Sequence, residues 1–306
     1  MTDEDAMIAH LALRIHEAGL DGPPEAIGIG DDAAVLRLAG SLVTSVDVVV
    51  EGIHADFSLT GVDDFGWRAA SAALSDLAGM GVSPVGMLLS VVTPNLDELD
   101  VLYDGVIAAA LQAACPILGG DLSRGAIWSV SVTVFGDDQG RGFVTRSGAQ
   151  QGNALYVTGP LGASAAGLRF LRSGAELTNE QIGVAIAAHA RPVPRLAEGM
   201  AARSVGVTAM CDLSDGLGID LDRLARSSKV GIRLTTVPVA PLATETEALG
   251  GGDDYELLIA TDAPEALELE FSRLGLRAPI RIGTCSDQVE ERLLRGQTFE
   301  ASGWRH

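Results

Sequence analysis

Paired acidic residues beside glycine occur at three widely separated places in this 306-residue sequence. They lie in the segments 28–35 (Gly-Ile-Gly-Asp-Asp-Ala-Ala-Val), 211–216 (Cys-Asp-Leu-Ser-Asp-Gly) and 251–256 (Gly-Gly-Asp-Asp-Tyr-Glu). Each segment adjoins an apolar stretch, an arrangement that exposes carboxylate oxygens at the end of a strand or helix. Hard cations such as Mg²⁺ bind oxygen ligands and are commonly shared with phosphates. The three segments therefore predict a site for metal ions and a phosphorylated ligand.

The composition is strongly acidic. The chain has 41 Asp and Glu residues against 21 Lys and Arg, which gives a formal net charge of −20 at pH 7. Such a charge opposes the phosphate contacts on which nucleic-acid binding depends, so we expect no nucleic-acid partner. An anionic ligand would need metal ions as intermediaries. The charge is equally consistent with a well-solvated surface, because net charge speaks to solubility more than to function.

Several well-known phosphate and catalytic motifs are missing from the sequence. The only lysine is Lys229, in a segment without a Walker A pattern, which excludes P-loop and protein-kinase-type sites. Ala33 stands where a Gly-x-Gly-x-x-Gly motif that began at Gly28 would end in glycine, which disfavours a Rossmann site. No serine lies in Gly-x-Ser-x-Gly, and the five histidines have no zinc-binding spacing.

The length predicts two domains. We place an N-terminal domain at 1–140 and a C-terminal domain at 150–306, because residues 136–152 are rich in Gly, Asp, Gln and Arg, as domain boundaries often are. The apolar runs are too short to span a membrane and no basic, apolar-cored leader opens the sequence, so we expect a cytoplasmic protein without a membrane partner. Three cysteines without metal-ligand spacing predict no disulfide.

Hydrophobic periodicity predicts a mixed α/β (α+β) fold. We expect helices at 4–19, 63–80, 97–114, 162–172, 181–190, 216–227 and 264–274. We expect strands at 42–50, 85–93, 127–135, 154–158, 207–211, 232–237, 257–260 and 280–283. In the second helix, apolar residues recur at helical spacing: Trp67, Ala70, Leu74 and Leu77. This pattern leaves Asp76 on the opposite side of the helix, where it can face a cleft.

Seven motifs in a fixed order along nearly the whole chain are similar to those of one family. They are 28–35, Ser45-Val46-Asp47 with Glu51-Gly52-Ile53-His54, 74–81 (Leu-Ser-Asp-Leu-Ala-Gly-Met-Gly), Gly119-Gly120-Asp121, 145–149 (Thr-Arg-Ser-Gly-Ala), 212–217 (Asp-Leu-Ser-Asp-Gly-Leu) and 251–257. This set resembles thiamine-monophosphate kinase, within the superfamily that also contains aminoimidazole ribonucleotide synthetase, selenophosphate synthetase and a hydrogenase maturation factor. The resemblance implies the two-domain fold of that superfamily, with an N-terminal sheet domain that pairs in a homodimer.

The resemblance also implies an activity, namely ATP- and Mg²⁺-dependent phosphorylation of thiamine monophosphate to thiamine pyrophosphate. ATP and several Mg²⁺ ions are then expected between the domains. Carried over by motif position, the metal-binding residues are Asp32, Ser45, Val46, Asp47, Asp76, Asp121, Asp212 and Asp215, with Asp31 as a neighbour. Among them Asp47, Asp76, Asp212 and Asp215 are expected to be essential for catalysis. Val46 replaces a commoner Thr, and its backbone carbonyl could still serve a metal.

The ligand contacts implied by the resemblance fall into two groups. The expected nucleotide contacts are Tyr103, Gly120, Asp121, Arg146 and Ser214. The expected contacts to thiamine monophosphate are His54, Asp253 and Trp304. On this acceptor side the chain departs from the family: Asp253 replaces the usual Glu, and two residues separate His54 from the Phe57 that normally follows it directly.

Other interpretations of these residues stay open at this point. Ser214 is also suited to cap the helix that follows it, and Arg146 to pair with an Asp. The small-residue segment 162–167 is consistent with phosphate binding at a helix start or with close helix packing. At the level of function, the alternatives are ATP-dependent phosphorylation or activation of another small molecule by a superfamily relative, or a non-catalytic module that binds nucleotide or metal.

Overall fold

The computed structural model describes residues 3–22, 28–29, 33–174 and 180–304. The chain divides into two compact units. The first unit comprises residues 1–77 and 83–142, and the second comprises residues 78–82 and 143–306. The short segment 78–82 lies inside the predicted N-terminal domain, yet it packs with the second unit.

The first unit is built on a four-stranded sheet in the order β1-β4-β2-β3. β1 pairs antiparallel with β4, β4 pairs antiparallel with β2, and β2 pairs parallel with β3. The elements that begin in this unit are α1 (Asp3–Glu17), β1 (Leu42–Val50), α2 (Val62–Met80), β2 (Ser83–Thr93), a 3₁₀ turn (Leu96–Glu98), α3 (Leu99–Gln112), β3 (Ile117–Arg124) and β4 (Ser129–Asp137). β1 is thus an edge strand, with one side of its backbone unpaired in this sheet.

α2 packs closely against α3 because two glycines leave room at the crossing. A Cβ atom on Gly66 would lie 2.1 Å from the Leu102 carbonyl oxygen, and one on Gly105 would lie 1.8 Å from the Asp63 carbonyl oxygen. Over its last three turns, α2 is buried on nearly all sides, but Asp76 is partly exposed there. The sequence predicted a helix with one buried and one exposed face, whereas α2 is mostly a core helix with this carboxylate accessible.

The second unit contains a seven-stranded sheet in the order β11-β10-β7-β9-β5-β8-β6. Its elements are β5 (Ala154–Val157), α4 (Ala163–Ser173), α5 (Glu180–Ala190), α6 (Leu196–Ser204), β6 (Ala209–Asp212), α7 (Leu217–Ser228), β7 (Gly231–Leu234), α8 (Glu245–Gly250), β8 (Leu257–Thr261), α9 (Pro264–Arg273), β9 (Ile280–Ser286), β10 (Arg292–Leu294) and β11 (Gln297–Thr298). The strands β5, β6 and β8 are buried along their whole length, so their residues are mostly apolar rather than alternating between apolar and polar.

Most of the expected elements are present with bounds that differ by a few residues. The elements that were not anticipated are the strand β3, the short strands β10 and β11, and the short helices α6 and α8. β3 contains Gly119 and Gly120 and several polar residues, and this composition hides a strand. The predicted absence of a disulfide is confirmed, since Cys115, Cys211 and Cys285 are free thiols in buried positions. None of the helices in the described ranges combines the length and apolar character that a membrane span requires.

Candidate functional site

The strand β1 presents two polar side chains toward α2. Ser45 and Asp47 are two residues apart and therefore share one face of the strand. The Ser45 hydroxyl donates a hydrogen bond to Oδ2 of Asp76 on α2 at 2.5 Å. Between this sheet and α2, a hydroxyl and a carboxylate from motifs that are well separated in sequence are thus in contact. A second carboxylate, that of Asp47, lies two residues from Ser45 on the same face of β1.

Val46 lies on the opposite face of β1, where its side chain is exposed. The Glu51 N–H bonds to the Trp128 carbonyl, so odd-numbered residues of β1 direct their N–H and C=O groups toward β4. Even-numbered residues, including Val46, direct theirs to the open edge. The carbonyl that we expected to serve a metal accordingly lies on the unpaired edge of the sheet.

A tight turn follows β1 and explains the spacing of the Glu-Gly-x-His motif. The Glu51 carboxylate accepts the Trp128 backbone N–H at 2.9 Å. Gly52 adopts a φ of +77°, a left-handed conformation that favours glycine. His54 then folds back, and its Nδ1 accepts the Val50 N–H at 3.0 Å. Beyond the turn, Phe57 packs edge-on against the ring of Phe65, with 5.2 Å between the ring centroids.

The expected nucleotide contacts of the first unit lie on β3 and α3. Gly120 pairs with Leu89, and a Cβ atom there would lie 2.0 Å from the Leu89 carbonyl oxygen, so only glycine fits. Asp121 is exposed on β3. Tyr103, by contrast, is buried in α3, and burial raises the pKa of its hydroxyl to about 12. Little of Tyr103 is open to a ligand in this unit, and its role stays a prediction.

In the second unit the second and third acidic segments run side by side. Asp212, the last residue of β6, pairs with Leu257 of β8. The pairing continues past the strand ends, because Leu213 donates to the Glu256 carbonyl at 2.8 Å and Asp253 donates to the Ser214 carbonyl at 2.8 Å. The backbone of Asp212 also lies against Gly79, where a Cβ atom would come within 2.9 Å of the Asp212 nitrogen.

Asp215 and Trp304 meet at the same place. Trp304 donates its backbone N–H to the Asp215 carbonyl at 2.9 Å, while its side chain is half exposed. The Asp215 carboxylate pairs with Arg223 at 2.5 Å, and Arg223 also pairs with Asp220 at 2.8 Å. Burial raises the pKa of Asp220. It is Asp220, through its Oδ2, that accepts the Asp215 N–H, whereas no side-chain cap by Ser214 is formed at α7.

Asp253 lies in an unusual backbone conformation. Its φ is +64°, and that of Tyr255 is +48°. Left-handed non-glycine residues are uncommon, although Asp tolerates this region better than most. The Tyr255 hydroxyl donates to Oδ1 of Asp253 at 3.3 Å. Backbone strain of this kind is characteristic of ligand sites.

Arg146 lies beside the start of the second acidic segment. Burial raises the pKa of the Cys211 thiol, and the positive charge of Arg146 opposes that rise. The preceding carbonyl, of Thr145, accepts the Met210 N–H at 3.0 Å. The second unit therefore gathers Arg146, Asp212, Ser214, Asp215, Asp253 and Trp304 around one pair of loops.

The N-terminus of α4 is occupied by a side chain of the protein itself. Asp254 Oδ2 accepts the Gly162 N–H at 2.6 Å, and its Oδ1 accepts the Ser164 N–H at 3.3 Å. A Cβ atom on Gly167 would lie 2.1 Å from the Ala185 carbonyl oxygen of α5. The small residues of segment 162–167 thus serve helix packing and a carboxylate cap rather than a phosphate.

The Glu256 side chain is held by a network that sequence reasoning missed. Its Oε1 accepts hydrogen bonds from Arg195 at 2.8 Å and Arg277 at 2.5 Å. Its Oε2 accepts the Thr158 hydroxyl at 2.5 Å, and the carboxylate is buried. Glu256 belongs to the third acidic motif, which signals importance, but its partners lie in segments that carry no motif.

The donor set suits Mg²⁺. In the part of the chain that the structure describes, no three His, Cys, Asp or Glu side chains form a preassembled metal cluster. The candidate oxygens of each unit, from Ser45, Asp47 and Asp76 in the first and from Asp212 and Asp215 in the second, are hard ligands. Mg²⁺ commonly completes such partial sets with water and substrate phosphates. Asp31 and Asp32 lie outside the described residues.

The comparisons with known proteins agree with the motifs. Residues 30–137 match the family model of the AIR synthase related protein, N-terminal domain, and residues 150–293 match the corresponding C-terminal domain. The thiamine-monophosphate kinase of Synechococcus elongatus is 37% identical over 82% of this chain and 82% of that protein. The crystal structure of thiamine-monophosphate kinase from Stenotrophomonas maltophilia superposes with a TM-score of 0.84 at 33% identity, covering 95% of this chain and 96% of that chain. The structure of AaThiL complexed with AMPPCP and TMP gives a TM-score of 0.79 at 28% identity, covering 96% of each chain.

Proposed function

This chain belongs to the thiamine-monophosphate kinase family, and we infer that it phosphorylates thiamine monophosphate with ATP to give thiamine pyrophosphate and ADP. The observation that carries this conclusion is the agreement over nearly the full length with a structure that holds AMPPCP and TMP together. The superfamily alternatives are not favoured, because the hydrogenase maturation proteins share this fold at only about 20% sequence identity. ATP is the co-substrate.

Phosphoryl transfer between these two ligands requires that they be positioned and that their negative charges be neutralised. The attacking oxygen already belongs to a phosphate, so no general base is needed to create a nucleophile. Two polyanions must be brought together in line, which orientation and electrostatic stabilisation accomplish. The acidic side chains of this protein would repel both ligands without cations, which is why we propose that Mg²⁺ is required.

We assign the chain's own groups to this task as follows. Several Mg²⁺ ions, which supply charge neutralisation when bound, would be held by oxygen ligands from both units. These ligands are Asp32, Ser45, Asp47, Asp76 and Asp121 in the first unit and Asp212 and Asp215 in the second. Arg146 and Ser214 bind nucleotide phosphate. His54, Asp253 and Trp304 bind thiamine monophosphate. The Ser45–Asp76 hydrogen bond keeps that carboxylate oriented toward β1.

The test is a coupled product assay. Protein, ATP and Mg²⁺ are incubated with thiamine monophosphate, thiamine or other phosphorylated small molecules, and ADP is followed together with product mass. We expect thiamine pyrophosphate from thiamine monophosphate alone, and loss of activity in EDTA that added Mg²⁺ restores. Phosphorylation of thiamine instead, or full turnover in EDTA, contradicts the proposal.

We also propose that the protein is a homodimer formed through the sheet of the first unit. Even-numbered residues of β1 place large apolar side chains on its outer face: Leu42 is 51% exposed, Val46 62% and Val48 50%. Large apolar side chains exposed on one strand face are characteristic of an interface, and a second copy offers the self-complementary face. Sedimentation of Val48→Lys should show a monomer, whereas Leu269→Lys on the exposed face of α9 should leave the dimer intact; a monomeric unmodified protein contradicts the proposal.

A cytoplasmic location is the compartment we propose. Buried free thiols and the use of ATP suit a reducing, nucleotide-rich compartment. Cell fractionation with an antibody against the native chain tests this, and recovery outside the cytoplasmic fraction contradicts it.

A further inference from the structure

His54 makes two hydrogen bonds to the backbone of Val50, one through its ring and one through its own backbone. Val50 donates its N–H to His54 Nδ1 at 3.0 Å, and the backbone N–H of His54 donates back to the Val50 carbonyl at 2.9 Å. We call these two bonds the Val50–His54 clasp. They resemble a capping box, in which a backbone donor and a side chain satisfy each other across a short turn.

The clasp has a reason in the position of Val50. β1 is an edge strand of its sheet, and the Glu51 N–H bonds to β4. In an antiparallel pair the next residue along directs its N–H the opposite way, so the Val50 N–H points to the open edge. An unpaired edge donor is costly when it is shielded from water, and the His54 ring supplies its acceptor.

The clasp also determines which ring nitrogen carries the proton. A ring nitrogen that accepts an N–H hydrogen bond carries no proton itself, and a neutral imidazole then bears its proton on the other nitrogen. We propose that the Val50–His54 clasp fixes His54 as the tautomer protonated on Nε2, so that the neutral ring acts as a hydrogen-bond donor to thiamine monophosphate. This proposal rests on the proposed function for the identity of the ligand.

The surrounding turn keeps that donor in place. The Glu51 carboxylate is tied to the Trp128 N–H, and Gly52 donates its N–H to the Ala55 carbonyl at 2.7 Å. The turn is therefore anchored on both sides of His54. Orienting a donor before the ligand arrives lowers the entropy that binding must overcome, so His54 acts as a preorganised contact.

Two substitutions separate the donor from the clasp. In His54→Gln the amide nitrogen reaches about as far as Nε2 and can donate to the ligand. In His54→Asn the amide oxygen reaches about as far as Nδ1 and can accept the Val50 N–H, but no donor extends to the Nε2 position. We expect the KM for thiamine monophosphate to rise by less than about 3-fold in His54→Gln and by about 10-fold or more in His54→Asn. The KM for ATP and the thermal unfolding midpoint serve as controls and should change little.

A residue that only closes the turn would show the opposite order, with His54→Asn nearly normal and His54→Gln impaired. That order, or equal effects of the two substitutions, overturns the proposal. A direct reading comes from the full chain labelled with ¹⁵N-histidine. The His54 signals are identified by their loss in His54→Gln, and the couplings between ring carbon-bound protons and nitrogens distinguish the tautomers. A proton on Nε2 supports the proposal, and a proton on Nδ1 refutes it.

The nuclear magnetic resonance experiment stays informative if the proposed function fails. Absence of thiamine pyrophosphate from the unmodified protein would reject the function, whereas the tautomer would still be read from the nitrogen signals. Binding of thiamine monophosphate to each variant, measured by calorimetry, then replaces KM. Equal affinities in the two variants would overturn the assigned donor role.

Discussion

The Ser45 hydroxyl lies 2.5 Å from Oδ2 of Asp76. This hydrogen bond joins the edge strand β1 to the helix α2 at the one partly exposed residue of a buried stretch. A carboxylate that serves only this hydrogen bond could be replaced by an amide at little cost. A carboxylate that also holds a cation could not, because the amide lacks the charge.

Asp76→Asn should therefore reduce turnover by about 10²-fold or more while the protein remains folded. The measurement is kcat at saturating ATP and thiamine monophosphate over a range of Mg²⁺, with circular dichroism to check the fold. Asp262→Asn, at an exposed position between β8 and α9, is the matched control and should be nearly silent. Near-normal turnover of Asp76→Asn at low Mg²⁺ would remove Asp76 from the proposed metal site.

Glu256→Gln tests the buried charge network of the second unit. The substitution preserves shape but leaves Arg195 and Arg277 against a neutral amide, and breaking a buried ion pair costs about 3–5 kcal/mol. We expect the free energy of unfolding to fall by an amount near the lower end of this range, since both guanidinium groups are partly exposed. Urea titration is the measurement, with the exposed Glu290→Gln as control. A change within about 0.5 kcal/mol would show that the network contributes little.

Trp304→Ala tests the proposed aromatic contact to the acceptor. An aromatic face stacked on a cationic or aromatic ring contributes about 0.5–2 kcal/mol, so thiamine-monophosphate binding should weaken by roughly 2- to 30-fold. The backbone bond from residue 304 to Asp215 is unaffected by the change of side chain. Calorimetry with each ligand separates the effects: equal weakening of ATP and thiamine monophosphate, or no change in either, would make Trp304 a packing residue.

The stability of the protein should carry a pH dependence from Asp254. Burial raises its pKa from 3.8 to about 7, against the opposing hydrogen bonds from Gly162 and Ser164. Because the folded pKa lies above the unfolded one, the native state binds more protons between these values, and this contribution to stability is lost as pH rises through about 7. Urea unfolding at pH 5 and pH 8 should show a smaller decline in Asp254→Asn than in the unmodified protein; an equal decline would assign the dependence to other groups.

Many elements were predictable because their signals are local. The alternation of β1, the length of α2 and the β-branched run of β4 are periodic patterns read from neighbouring residues. The Glu51-Gly52-Ile53-His54 motif is also local, since the hydrogen bonds between Val50 and His54 close within one turn, whereas the bond from Glu51 to Trp128 joins residues that are distant in sequence. The buried position of Tyr103 was not predictable in this way, since α3 is apolar on most sides and its sequence does not say which side faces the core.

The family, its chemistry and the candidate residues follow from the order of the motifs along the chain, because these carboxylates and glycines are the groups that a metal–phosphate site requires. The tertiary structure alone decided which of those groups meet. Trp304 reaches Asp215, Asp254 caps α4 and Arg277 binds Glu256 because the sheet order of the second unit places distant segments side by side. Such contacts depend on the packing of whole elements, whose cost and gain are shared by many residues, and no single stretch of sequence encodes them.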